Sequence, residues 1–289
     1  GFTVASDGTP IVVDNQGVFN PSNEFIRVSK GGFYGHFLMK RDDSNVAAFQ
    51  PDEADSVIGG SKYQLPPTVH MPQQLVARSP AQPMELKGLQ GELSVYNGQF
   101  LLPDVTKGTM TRIFNEKVGE TWQGAVFKHS SGYDEAGENG FTAGPNRLIE
   151  GPDGKYYIGG IGHGGLWRIL GAPGEPYTGL QRLSFRPTGE RPESFNEMVA
   201  VRDTKEGLEI EFFRPLKSAP EMKGLSMRQW TYIPTNGYGG PEVGLESLTP
   251  KSLTLSNDGK RLRIAVDGLR DNSPPFVTRK EYSNENVGW

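Results

Sequence analysis

The 289 residues suffice for two domains of ordinary size, and 38 Gly with 22 Pro make about a fifth of the chain turn-forming, which suits many short strands rather than long helices. A net charge of −4 with scattered Lys and Arg excludes the clustered basic footprint of a nucleic-acid surface, and no apolar run reaches the length of a membrane-spanning helix. Without cysteine the chain has no disulfide, thiolate metal site or c-type haem attachment.

In chain order, the first element is a strand at Phe2 to Ser6, which begins without methionine or a signal peptide, so the numbering is expected to start inside a longer precursor. The turn Asp7-Gly8, a strand Pro10 to Asn15, a polar loop and a strand Glu24 to Ser29 follow, with a fourth strand expected at Phe33 to Met39. A long insertion rich in Pro, Gln and Ser spans Lys40 to Leu89 and places His70 in an extended loop. The pattern returns as strands Glu92 to Tyr96, Gln99 to Asp104 and Thr109 to Phe114 around the turn Asn97-Gly98, with a fourth at Ala125 to His129. A third copy runs Asn146 to Glu150, turn Gly151 to Gly154, Lys155 to Gly160, Leu166 to Leu170, with a fourth strand at Leu180 to Phe185. A repeated four-stranded antiparallel unit predicts a β-propeller, an irregular sandwich or barrel being the blander alternative.

The polar stretch Arg186 to Pro192 predicts a boundary, dividing the chain into residues 1–187 and 188–289. Beyond it, strands are expected at Phe195 to Val201, Leu208 to Phe213, Arg228 to Ile233, Ser252 to Leu255, Arg261 to Val266 and Phe276 to Tyr282, the pattern of an Ig-like sandwich. Trp230, Tyr232 and Tyr238 form an aromatic group there, to be read as core packing or as a sugar-stacking surface. The expected fold is therefore all-β: about three blades of a propeller, then the sandwich.

In a propeller, the loop after a blade's second strand and the loop before its first open on one face. That face would gather Asn15, Gln16, Asp104, Lys107, Asn146, Arg147 and His163, together with the loop Ser130 to Gly144. His163 stands among glycines that admit close approach, either as an exposed turn residue or as a base. His36 on its strand is either a hydrogen-bonded structural residue or a second catalytic candidate. Lys107 and Arg147 either make structural salt bridges between blades or grip the carboxylates of a cofactor. No serine elbow, phosphate loop, dinucleotide fingerprint or closely paired zinc histidines are present.

The segments Gly144 to Leu148 with Gly151 to Gly160, Pro103 to Gly108, Gln123 to Phe127 and Gly31 to His36 resemble secreted glucose/sorbosone-dehydrogenase-like propellers. Gln229 to Tyr232 with Tyr238 to Pro241 resembles the sandwich that follows such propellers in large bacterial secreted proteins. The resemblance implies a six-bladed type of propeller of which this chain holds the C-terminal half, in an extracytoplasmic, periplasmic or secreted setting. It implies a quinoprotein that oxidises an alcohol or aldose with pyrroloquinoline quinone and calcium. It further implies a carbohydrate or polyol substrate and a cytochrome c electron acceptor. On that reading His163 and His36 are catalytic, Lys107, Asn146 and Arg147 hold the cofactor, and Asp104 binds the metal. The alternative is a non-catalytic secreted scaffold that binds carbohydrate or protein.

Overall fold

The structure is a computed structural model that describes residues 1–18, 20–34, 65–130, 132, 140–161, 178–184, 195–232, 238–270 and, for the backbone, 275–279. The described regular structure is almost entirely antiparallel strand.

The first sheet has the order β1 (Phe2–Val4), β2 (Pro10–Asp14), β3 (Asn23–Arg27), β4 (Val69–Met71). Its first three strands fall where sequence places them. Gly8, with a φ of 82°, lets the chain turn between the first two. The fourth does not: β4 pairs with β3 through Asn23↔Met71, Glu24↔His70 and Phe25↔Val69. His70 is thus a strand residue, and the strand expected from Phe33 lies mostly on residues outside the described ones. A three-residue strand beside Pro-Pro and before another Pro reads as loop, and only the register reveals that Val69 and Met71 point inward.

The second sheet has the order β5 (Met84–Glu85), β6 (Phe100–Asp104), β7 (Thr109–Val118), β8 (Thr121–Lys128). The segment Glu92 to Tyr96, expected as a strand, lies within a 3-10 turn, Gly91–Tyr96, and β5 takes the inner position instead. Ser94 Oγ donates to the Gly91 carbonyl at 2.7 Å, a local bond that competes with a sheet ladder.

The third sheet is β11 (Thr178–Leu183), β10 (Tyr156–Ile161), β9 (Gly144–Glu150) in that order. The strand expected as a fourth pairs directly with β10 (Tyr156↔Leu183) and is therefore third; Leu166 to Leu170 lies outside the described residues.

The three sheets stack because each strand alternates. Ile11, Val13 and Phe25 meet Phe100, Leu102 and Ile113 across the first junction. Leu101 and Met110, from the other face of the second sheet, meet Leu148, Tyr156 and Ile158 of the third. The Phe25 and Phe100 rings lie 5.2 Å apart, both wholly buried. Truncating either to Ala costs about 3–5 kcal/mol in transfer and cavity terms.

Two further sheets follow: β12 (Met198–Thr204), β13 (Gly207–Phe212), β17 (Arg261–Ala265), β16 (Ser252–Leu255), and β15 (Glu242–Leu248), β14 (Leu225–Tyr232), β18 (Pro275–Arg279). Leu208, Ile210, Leu262 and Ile264 of one pack on Met227 and Leu248 of the other. Sequence misses β15, whose residues are mostly exposed and lack an apolar alternation.

This pair of sheets docks on the second sheet through β12. Val199 and Phe213 join the cluster of Leu86, Tyr96, Leu101 and Met110, and Ala200 packs on Phe114 and Phe127. The expected boundary falls largely on residues outside the described ones.

Candidate functional site

The antiparallel order brings the ends of β2, β6 and β10 and the starts of β1, β5 and β9 to one end of the stack. The amide of Val13 donates to the Gly1 carbonyl at 2.8 Å, Ala81 N to Pro103 O at 2.8 Å, and Gly144 pairs with Ile161. Adjacent sheets touch there. A Cβ on Gly1 would lie 1.9 Å from the Ala81 carbonyl oxygen, and one on Gly144 would lie 2.4 Å from that of Val105. Only glycine allows this approach. The amide of Gln82 also donates to the Asn146 carbonyl at 3.3 Å. Loops that sequence topology assigned to one face thus converge.

Asp104 sits at this end but is wholly buried. One carboxylate oxygen accepts the amides of Arg78 and Ser79, the latter at 3.1 Å; the other accepts those of Thr106 at 2.9 Å and Lys107 at 2.8 Å. Its charge anchors the turn that presents Lys107. With both oxygens engaged, it does not fit the metal-binding role expected of it.

Lys107 is half-buried, and its ammonium donates to the Gln74 carbonyl at 3.2 Å. Burial lowers its pKa, Asp104 opposes this, and the nearby cations Lys128 and Arg78 add to the lowering. Arg78 and Lys128 are exposed, so this corner is electropositive. Asn146 is half-buried and Arg147 exposed, its guanidinium reaching only the neighbouring Asn146 carbonyl at 3.3 Å. Asp14 and Arg147 both lie within electrostatic reach of Gly1. His36 and His163 lie outside the described residues.

The two-sheet module reaches the periphery of this end. Val18 pairs with Tyr238, Gly239 N donates to Gly17 O at 2.9 Å, and Gly240 N donates to Pro21 O at 3.1 Å. Trp230 and Tyr232 are buried core residues, their rings edge-to-face at 6.4 Å, while Tyr238 is exposed. Behind Tyr238, Tyr232 lies 6.2 Å from the His70 ring, and Ser22 Oγ shares a 2.8 Å hydrogen bond with His70 Nδ1.

Sequence reasoning missed Glu24. It stands opposite Asp14 and His70 in register, making a row of titratable groups across three strands, and it is 7% exposed. Burial, then the Asp14 charge, raises its pKa to about 8. Only the pairing register could have found it, because Asn-Glu-Phe-Ile-Arg reads as an ordinary edge of a strand. Among the described residues, no group of three or more His, Cys, Asp or Glu is placed to hold a metal ion.

No protein-family model matches the chain, and no curated protein matches it. Among solved structures it is similar to a Thermus thermophilus protein named as an oxidoreductase (glucose dehydrogenase), at 16% identity over 63% of this chain and 43% of that one, with a TM-score of 0.38. The chain spans less than half the length of that protein.

Proposed function

We propose that this chain is the C-terminal part of a quinoprotein sugar or polyol dehydrogenase-like protein, working outside the cytoplasm. In this reading the three stacked sheets are blades of a propeller, the two-sheet module is its Ig-like companion, and the remaining blades come from another segment or chain. The observation that carries the reading is the convergence of the connecting loops of all three sheets at one end, where Lys107 and Arg147 present cations without a carboxylate partner in an ion pair among the described residues. Such cations suit the carboxylates of pyrroloquinoline quinone, which would supply the two-electron acceptor chemistry when bound. Lys107 and Arg147 would grip and orient that anion, and Asn146 would line the mouth. Asp104 does not fit a calcium ion, since backbone amides occupy its oxygens, and no step is assigned to the metal. An aldose or polyol is the substrate proposed, with a cytochrome c as electron acceptor.

The scaffold reading loses its sugar-stacking feature, because Trp230 and Tyr232 are core residues. Titration of pyrroloquinoline quinone into the protein, followed by tryptophan quenching, tests the dehydrogenase reading. Saturable binding is expected, weakened about tenfold or more in Lys107→Ala and in Arg147→Ala, since a charge-assisted bond is worth about 1.5–3 kcal/mol. Absence of binding would overturn the reading, and binding unchanged in both variants would move the site.

A further inference from the structure

The end of the stack where the loops converge is built around one buried charge. Residues 79–81 run antiparallel along residues 103–105: Ala81 N donates to Pro103 O at 2.8 Å, Val105 N donates to Ser79 O at 3.1 Å, and Pro80 bridges Asp104. Gly108 N donates to Asp104 O at 3.0 Å and closes the turn that follows. The Asp104 carboxylate lies between the two segments and accepts from both, Arg78 and Ser79 on one oxygen, Thr106 and Lys107 on the other. None of these four amides has a backbone acceptor among the described residues. Burying an ionised carboxylate is costly unless its oxygens are hydrogen-bonded, and here they are. An asparagine would accept on one oxygen only and turn its own N–H groups toward two backbone N–H groups.

What this clamp holds in place is charge. Arg78 and Lys107 leave it on opposite segments, and Lys128 stands at the end of β8. Arg78 and Lys128 both lie within electrostatic reach of the Lys107 ammonium. Arg78 and Lys128 are exposed and Lys107 is half-buried, and none of the three makes an ion pair among the described residues. Three cations stand against one carboxylate whose oxygens are already occupied, so the corner keeps an excess of positive charge. Like charges gathered in this way repel one another, and it is the backbone clamp that keeps them together. Such a corner suits a ligand that carries more than one anionic group.

We infer that Asp104 is a positioning residue that assembles a polyanion site, with Arg78 as a gripping cation beside Lys107 and with Lys128 adding to its field. The inference rests on the dehydrogenase reading for the identity of the anion, which there is the quinone with its several carboxylates. Arg78 contributes a planar fork of donors that can take one carboxylate through two parallel bonds, which the Lys107 ammonium cannot.

Amide hydrogen exchange of the unaltered protein tests the clamp. The Arg78 and Lys107 amides should exchange at least about tenfold more slowly than free amides, and exchange at the free rate overturns the inference. Quinone titration tests the site. Arg78→Ala, at an exposed position, should bind about tenfold more weakly with unchanged circular dichroism. Asp104→Asn should also bind about tenfold more weakly, and should make little further difference once Arg78 and Lys107 are both alanine, because it acts through them. Unchanged affinity in Arg78→Ala overturns the inference. So does an Asp104→Asn loss of equal size in both backgrounds, the result of a role confined to holding the fold. If Asp104→Asn does not fold, Arg78→Ala and the exchange rates decide. A protein that binds no quinone removes the dehydrogenase reading, and the same variants are then titrated with citrate, a small polyanion. Citrate binding that falls about tenfold in Arg78→Ala leaves the polyanion site standing, whereas no binding of either anion at about 10 mM removes it too.

Discussion

At the residue scale, one buried carboxyl and two half-buried histidines with desolvated rings shape the pH response. Burial, helped by Asp14, raises Glu24 from 4.5 to about 8. Burial lowers His70 and His129 from 6.5 to about 4, with Glu197 opposing and Arg112 adding to the effect at His129. A raised folded pKa means that the stability from Glu24 is fully present below 4.5 and is lost as pH rises to about 8. The histidines run the other way: their contribution is present above 6.5 and lost as pH falls toward about 4. Between 4.5 and 6.5 two histidines outweigh one carboxyl, so these groups together place maximum stability near 6.5. Urea midpoints across pH should trace that maximum. Glu24→Gln should flatten the limb between pH 6.5 and 8, because the amide stays neutral throughout; equal slopes in both proteins would sink the assignment. Sequence shows the acids and histidines but not which of them face one another, because a one-residue change of register would send Glu24 to the other face.

At the element scale, β12 is locked to the second sheet by one side chain. Arg112, wholly buried on β7, donates to the carbonyls of Met198 at 2.7 Å and Val199 at 3.1 Å and to Gln99 Oε1. Its guanidinium lies 3.4 Å from Glu197 Oε1, which also accepts from Tyr96, and rests over the Tyr96 and Phe127 rings. Half-buried Arg202 adds a lesser contact, 2.9 Å from Glu116. Removing one partner of a buried pair leaves the other charge uncompensated, so Arg112→Ala should cost about 3–5 kcal/mol in chemical denaturation. Arg112→Met with Glu197→Gln should cost less than the sum of the single changes; strict additivity would argue against the coupling. The clue in the sequence is slight. Met110, Arg112 and Phe114 alternate on one face, and a cation in that register needs a partner that primary structure does not locate.

At the scale of the whole molecule, the stacked sheets and the two-sheet module share core residues across β12, Val199 and Phe213 among them. Our division into residues 1–187 and 188–289 is a proposal, and it has a thermal consequence. Two domains joined by so buried a contact should melt in one calorimetric transition, and Arg112→Ala should resolve two. Two separate transitions in the unaltered protein would show that the docking carries little energy.

Alternation and turn chemistry alone determined the all-β class and most strands. Asp7-Gly8 and Asn257-Asp258-Gly259 specify tight turns, and the apolar residues alternate in Leu208, Ile210, Phe212 and in Leu262, Ile264, Val266, all of them buried. They also led, through the repeated hairpin pattern, to the expectation that Asp104, Lys107 and Asn146 share one end. Tertiary structure decided the rest. It consumed Asp104 in backbone hydrogen bonds, buried Trp230 and Tyr232, recruited His70 into a strand and turned Glu92 to Tyr96 into a 3-10 turn. The reason is one of range. Strand periodicity and turns are set by neighbours along the chain, whereas which charge is desolvated, and by whom, depends on contacts between residues such as Arg112 and Met198, 86 positions apart.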